Sequence, residues 1–266
     1  MRDDADISDL ADMAHALADI AAAQTLPRFR ARELGVEDKG DGVFDPVTAA
    51  DRAAERAMRA ALAERRPRDG ILGEEYADAA GESGLTWVID PIDGTRAFMA
   101  GAPTWGTLVS VTDAAGVVFG LIDQPWTRER WWGGRGVPAR LRTHAGESAL
   151  TTRDQTMLAR ATLCSTFPEI GSTEERAAFA RAAGVARIVR YGLDCYAYGL
   201  LAAGHVDIVI EAGLKPYDIC APIAVIEAAG GVVTDWDGGP AHGGGRILAA
   251  ANEALHARAR AALSGG

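Results

Sequence analysis

Asp90 and Asp93 stand three residues apart in "WVIDPIDGTRAF", with Gly94 and Thr95 directly after them. An apolar run precedes the pair, which places both carboxylates at the carboxyl end of a strand, where α/β folds build many of their sites. Gly94 and Thr95 open the next helix, and a helix N-terminus offers unpaired amide donors and partial positive charge to a phosphate. Two carboxylates beside a phosphate repel it unless cations lie between them. Oxygen ligands with no histidine or thiolate nearby point to magnesium rather than zinc. An Asx turn explains Asp before Pro and Asp before Gly without any chemistry, so the rest of the chain must decide.

Other acids are candidates for the same place. Glu74 and Glu75 in "GILGEEY" end a second apolar run, and one of them can face the aspartates, although a solvated acidic loop has the same composition. Asp51 follows Thr48 by three residues, the spacing of a capped helix with an acid in its first turn. Asp218, just beyond Pro216, sits where a helix N-cap belongs, and capping does not exclude ligation. A phosphatase with an aspartyl nucleophile needs Asp-x-Asp-x-Thr, but Pro91 stands two residues before Asp93. There is also no cysteine-phosphatase loop, G-x-S-x-G elbow or GxxxxGK[ST] phosphate loop. Water activated by metal suits these residues better than a protein nucleophile.

The elements that position them follow from periodicity and turn residues. Residues 6–34 read as an Ala-rich amphipathic helix, 36–51 as a Gly-rich loop, and a second helix runs from about Thr48 to Pro67. "GILGEE" and "GLTWVID" read as short strands; "WGTLVSVTD", "GVVFGLIDQP" and "RERWWGG" read as successive antiparallel strands. From about residue 150, the strands "ATLCSTF", "RIVRYG" and "VDIVIEAG" alternate with the helices "TEERAAFARAAG" and "DCYAYGLLAAG". The helix "YDICAPIAVIEAAGG" is followed by the strands "VVTDWDG" and "RILAAA" and a terminal helix. The expected fold class is α/β, with an α+β N-terminal half and an α/β C-terminal half. Residues 1–145 would form a subdomain of helices on an antiparallel sheet carrying most metal ligands. Residues 146–266 would form an α/β subdomain with one metal ligand and the substrate-specificity residues, and the two would share one rigid body.

The 266 residues suffice for one large domain or two subdomains around a substantial core. With 48% apolar and 24% charged residues the composition is that of a globular protein. Acidic residues outnumber basic ones, 37 to 27, and the net charge of −10 argues against a nucleic-acid or membrane-surface partner. Cys164, Cys195 and Cys220 are odd in number and form no CxxC, so a reduced, cytoplasmic compartment is expected. The N-terminal stretch is acidic, with Leu10, Met13, Leu17 and Ile20 at helical spacing, and reads as neither a signal peptide nor a membrane span.

"GEE", "DPIDGT", and "YD" followed by an apolar helix ending in "EAAGG" and then "VVTDWDG" resemble, in order, the motifs of the magnesium-dependent, lithium-sensitive inositol monophosphatase superfamily. The resemblance implies a layered αβαβα sugar-phosphatase-type fold, a homodimer, and two magnesium ions or three. Glu74 and Asp90 would hold a first ion with the backbone carbonyl of Ile92; Asp90, Asp93 and Asp218 would hold a second. Thr95 matches the threonine that, with Glu74, positions and deprotonates the attacking water. Asp51 matches the aspartate that orients this threonine or recruits a third, weaker ion. The Gly94 and Thr95 amides would face phosphate, and Glu211 matches the acid that touches the alcohol part of the substrate.

"DPIDGTRAFMAGAPTWGTLVSV", "GLIDQPWTRERWW" and "GLDCYAYGLLAAGHVDIVIEAGLKPYDI" are most similar to the histidinol-phosphate phosphatases built on this fold. That implies hydrolysis of L-histidinol phosphate to L-histidinol and phosphate, a reaction of histidine biosynthesis. This small phosphorylated metabolite carries an amine and an imidazole, with which Asp194 or Glu211 at the pocket wall would pair, while Arg96 contacts the pocket or a neighbouring subunit. A helix cap at Asp194 and a solvated Arg96 are the alternatives. Inositol 1-phosphate is the first rival substrate, because the metals rather than the alcohol carry most of the transition-state stabilisation. A broad-specificity phosphatase acting on 3′-phosphoadenosine phosphate or fructose bisphosphate is a further rival, with no added loop to grip a nucleotide. A catalytically silent binding protein is the rival from another class. Asp93→Asn and Asp218→Asn are each expected to abolish magnesium-dependent phosphate release with an unchanged circular dichroism spectrum. Near wild-type turnover in either would remove the two-metal assignment.

Overall fold

The computed structural model describes residues 4–32, 34–38 and 46–265. Helix α1 (Asp4–Thr25) is shorter than the expected 6–34, because Pro27 has no N–H to continue the ladder and the chain then turns through Arg30, whose φ is 62°. Short strands β1 (Glu37–Asp38) and β2 (Pro46–Val47) pair antiparallel. Residues 39–45 of the expected Gly-rich loop lie outside the described residues. Helix α2 (Ala49–Arg65) follows, capped by Thr48.

A seven-stranded sheet comes next, with its strands in chain order: β3 (Gly70–Gly73), β4 (Thr86–Asp93), β5 (Gly106–Asp113), β6 (Gly116–Gln124), β7 (Glu129–Gly134), β8 (Val137–Thr143) and β9 (Gly146–Ala149). The pairing of β3 with β4 is parallel and the remainder antiparallel. The last two strands were not expected, since "VPARLRT" and "GESA" are largely polar and solvated and have little apolar alternation to reveal them. Helix α3 (Thr95–Ala100) bridges β4 and β5.

The second sheet runs β11-β10-β12-β14-β13. Its strands are β10 (Thr162–Ser165), β11 (Ile188–Tyr191), β12 (Ile208–Leu214), β13 (Val232–Asp235) and β14 (Gly245–Ala250). Helices α4 (Thr173–Val185), α5 (Asp194–Ala202), α6 (Pro216–Ala228) and α7 (Glu253–Ser264) complete the fold.

Alternation along the strands of the first sheet determines the layers. Trp87 and Ile89 of β4, Val109 and Val111 of β5, and Phe119 and Leu121 of β6 pack with Leu10, Leu17, Met58 and Leu62 of α1 and α2. Leu108, Ile122 and Trp131 point the other way and pack with Tyr198, Ile219, Ile223 and Ile226 of α5 and α6. Beyond the second sheet, Phe179 of α4 and Leu255, Ala259 and Leu263 of α7 cover Leu163, Ile208, Ile210 and Leu248. The order is therefore helix pair, sheet, helix pair, sheet, helix pair, the expected αβαβα stack. Among the described residues no helix is long and apolar enough to cross a membrane.

The middle layer is tight. A Cβ on Gly120 would stand 2.5 Å from the Ala221 carbonyl oxygen and 2.8 Å from the Ala224 Cβ, whereas Gly184 faces open space. Gly120→Ala is expected to lower the urea unfolding free energy by about 1–3 kcal/mol through overpacking. Gly184→Ala should leave it unchanged or raise it by up to about 1 kcal/mol. Equal effects from the two substitutions would show that α6 yields where the packing says it cannot.

Candidate active site

Two residues three apart on a regular strand face opposite sides, so Asp90 and Asp93 need a departure from regularity to act together. The register supplies it. Asp90 pairs with Leu108 and Asp93 with Gly106, three steps on β4 against two on β5, which is a bulge. Thr107 Oγ1 donates to the Pro91 carbonyl at 2.8 Å and fixes the bulged segment. Asp218 comes from α6, and carboxylate oxygens of Asp90, Asp93 and Asp218 all lie within 4.8 Å of one another.

Each aspartate anchors one oxygen on a backbone amide. Asp90 Oδ1 accepts from Ile92 N–H at 2.9 Å, Asp93 Oδ2 from Cys195 N–H at 2.7 Å, and Asp218 Oδ2 from Lys215 N–H at 2.7 Å. Lys215 is thus the N-cap of α6 and Asp218 its third residue, not the cap expected from Pro216. Glu74, at the end of β3, lies in hydrogen-bonding reach of Asp90, whose carboxyl is pushed well above the usual range by burial and by the charges of Glu74, Asp93 and Asp218. Burial, then Asp218 and Asp194, push Asp93 in the same direction. Burial and mutual repulsion disfavour the charged forms of these two aspartates, and a cation among them would relieve both; with carboxylate oxygens as donors, the site fits a hard divalent ion.

Gly94 has φ 83°, and a Cβ there would lie 2.9 Å from the Asp194 Cβ, so both the turn and the approach of α5 require glycine. Thr95 Oγ1 is 3.2 Å from the Ile92 carbonyl and 3.5 Å from Asp51 Oδ1. Asp51 is buried, and its other oxygen accepts from the Thr48 backbone at 2.9 Å and from the Thr48 hydroxyl. Capping and a place beside Thr95 are therefore both realised. Burial pushes the Asp51 carboxyl up to about 6 against those two hydrogen bonds.

A cavity of about 340 Å³ opens from Asp93, Thr95 and Asp218 toward Asp194, Glu211 and Arg96. Asp194 is the first residue of α5 with φ 47°, a strained conformation for a side chain, and no side chain caps that helix; the expected alternative of a simple cap at Asp194 does not hold. Burial pushes its carboxyl to about 6, opposed by the charge of Arg96. Glu211 is buried and held by Ser165 Oγ at 3.3 Å and by the Thr166 amide and hydroxyl; burial pushes it up to about 8. Arg96 is exposed, its guanidinium 5.0 Å from the centre of the Phe167 ring.

All eleven candidates, Asp51, Glu74, Asp90, Ile92, Asp93, Gly94, Thr95, Arg96, Asp194, Glu211 and Asp218, thus fall in one connected region. Phe167, Glu169 and Ile170 also line the cavity and were not anticipated. Their only signal was a Pro-containing loop, "FPEI", between a strand and a helix.

A sequence profile of the inositol monophosphatase family matches residues 6–265. The protein named bifunctional phosphatase IMPL2, chloroplastic, of Arabidopsis thaliana is 40% identical over 88% of this chain and 66% of its own length. A protein of Streptomyces coelicolor named histidinol-phosphatase is 37% identical over 92% of both chains. The solved structure of an inositol monophosphatase from Zymomonas mobilis is 40% identical, with a TM-score of 0.86 over 99% of this chain and 100% of that one. With the αβαβα layers and the acidic cluster at their junction, these matches show that the chain belongs to the inositol monophosphatase family.

Proposed function

We propose that this phosphoric monoester hydrolase cleaves L-histidinol phosphate to L-histidinol and phosphate, using two magnesium ions or three. The observation that carries the reading is the composition of the cavity: beyond the metal-ligand cluster its wall presents Glu169, Asp194 and Glu211, acids suited to an amine and an imidazole rather than to hydroxyls alone. The relative of Streptomyces coelicolor named histidinol-phosphatase supports it. Glu74, Asp90 and the Ile92 carbonyl would hold one ion; Asp90, Asp93 and Asp218 would hold another. When bound, the ions supply the positive charge that phosphate and leaving oxygen require.

The remaining tasks fall to the chain itself. The first amides of α3, at Gly94 and Thr95, would hold phosphate oxygens. Thr95 Oγ1, beside Asp51, would orient the attacking water, with Glu74 taking its proton. Asp194 and Glu211 would receive the amine and imidazole, with Arg96 closing the wall. The two halves, 1–145 and 146–266, would work as one body, which the placement of α6 between both sheets favours. The Zymomonas mobilis relative keeps inositol 1-phosphate as a second reading.

Phosphate release from the two substrates, measured side by side, is expected to favour histidinol phosphate. Asp194→Asn should cut kcat/KM for histidinol phosphate by about tenfold or more, the worth of one charge-assisted hydrogen bond, and change inositol 1-phosphate hydrolysis much less. Equal loss on both substrates would move the chain to the inositol reading. No hydrolysis of either, with no magnesium binding, would leave a silent member of the fold.

Metal-free stability should depend on pH with a definite sign. Asp194 and Glu211 bind protons more tightly when folded, their carboxyls rising to about 6 and about 8, so stability falls as pH climbs from about 4 through about 8. Magnesium competes with protons for the aspartate cluster, so thermal scans should show a larger rise in Tm on adding magnesium chloride at about pH 8 than at about pH 5. A pH-independent shift would argue against carboxylate ligation.

A further inference from the structure

Helix α2 reaches the site twice. Its first turn carries Asp51, and one turn further on Glu55 is fully buried, although the sequence offers it as an ordinary surface pair with Arg59 four residues later. Glu55 Oε2 accepts the Glu75 backbone N–H at 2.8 Å, and Oε1 accepts Arg59 Nε at 2.8 Å. The other two nitrogens of Arg59 donate to the carbonyls of Tyr76, at 2.9 Å, and Ala77, at 3.0 Å. On the other side, a Cβ at Gly73 would fall 2.2 Å from Glu55 Oε1, so the carboxylate packs directly on the end of β3.

Of the two chain neighbours of Glu74, Glu75 is therefore hydrogen-bonded to this carboxylate and Gly73 packs against it, while its arginine holds the carbonyls of the next two residues. A buried carboxylate that accepts a backbone amide and a guanidinium makes charge-assisted bonds stronger than those of a neutral group. Both partners project from one rigid helix turn, so the bracket fixes where the loop can place the Glu74 side chain. We infer that Glu55, braced by Arg59, is the positioning residue that presents Glu74 to Asp90 and so sets the affinity of the metal site. This rests on the proposed reading of Glu74 as a ligand.

The test uses the full chain, with magnesium chloride as the probe, titrated by calorimetry and by the magnesium concentration giving half-maximal phosphate release. Glu55→Gln keeps the volume but turns an amide toward a guanidinium N–H, which opens the bracket. It is expected to weaken magnesium binding by about 10- to 100-fold, the usual cost of losing a group that orients a ligand. Arg59→Lys, which cannot reproduce the fork on two carbonyls, should weaken it in the same direction and serves if the first variant does not fold. Met58→Ala destabilises the same helix through its core face and should leave magnesium affinity within about twofold of wild type.

Because Glu55 acts through Glu74, the double variant Glu55→Gln with Glu74→Gln should bind magnesium no more weakly than Glu74→Gln alone. Wild-type affinity in Glu55→Gln, with Glu74→Gln weakened, would overturn the inference and leave the ligand reading intact. Additive losses in the double variant, or a loss in Met58→Ala as large as in Glu55→Gln, would overturn it equally. If Glu74→Gln itself binds magnesium like wild type, the ligand reading falls first and takes the inference with it.

Discussion

Like-charge repulsion among Glu74, Asp90, Asp93 and Asp218 is the constraint around which the rest of the molecule is arranged. At an effective dielectric of about 20, two unit charges separated by the spacing seen here repel by about 3 kcal/mol, and the cluster contains several such pairs. Burial, the larger cause, disfavours every ionised form, and the neighbouring charges act in the same direction, so Asp90 and Asp93 both hold their protons above the usual range. A fold that keeps such a cluster must grip each member through something other than mutual attraction. Here the grip is the backbone: the amides of Ile92, Cys195 and Lys215 each take one oxygen, so three carboxylates are aimed at a common centre.

Those amides come from three places, and the layered architecture brings them together. The Ile92 amide belongs to the bulge in β4, Cys195 to the first turn of α5, and Lys215 to the start of α6. Helices α5 and α6 form the layer shared by both sheets, so their N-terminal turns meet the end of β4 where the two sheets approach. Gly94 and Gly106 let the elements close. A Cβ at Gly94 would meet Asp194, and one at Gly106 would stand 2.7 Å from Cys195 Sγ. The site is thus a seam between packed layers, and its rigidity comes from α6 lying flat on Gly120 and Gly133 of the first sheet.

How much of this the sequence revealed depended on how local each determinant was. Strands β4 to β7 and the alternating second half were legible because their apolar period is local. The DPIDGT turn was legible because glycine and threonine follow the acids immediately. The bulge that turns Asp90 and Asp93 to one side was not, since it exists only in register with β5. The helix position of Asp218 was read three residues out, as the cap, because Pro216 suggests a cap and only the structure shows Lys215 in that place. Glu55 was invisible for a related reason: an acid four residues before an arginine looks like a solvated helix pair until the loop after β3 is seen folded over it.

The two sides of the cavity are made differently, and this accounts for the sharper reading of chemistry than of substrate. The side that holds the acidic cluster is built from strand and helix ends, with Asp90 1% exposed and Asp51 fully buried. The opposite side is built largely on the loop after β10, where Phe167 and Glu169 are exposed and Ile170 is the buried anchor. Loops of this kind can change length and composition without disturbing the layers beneath, so this wall can diverge while the acidic cluster stays fixed. Ser165 and Thr166 tie this wall together: both hold Glu211, and Ser165 Oγ also reaches the Phe167 carbonyl at 3.2 Å. A change in that loop therefore alters the wall directly and the setting of Glu211 indirectly, without touching the aspartate cluster at the other end of the cavity.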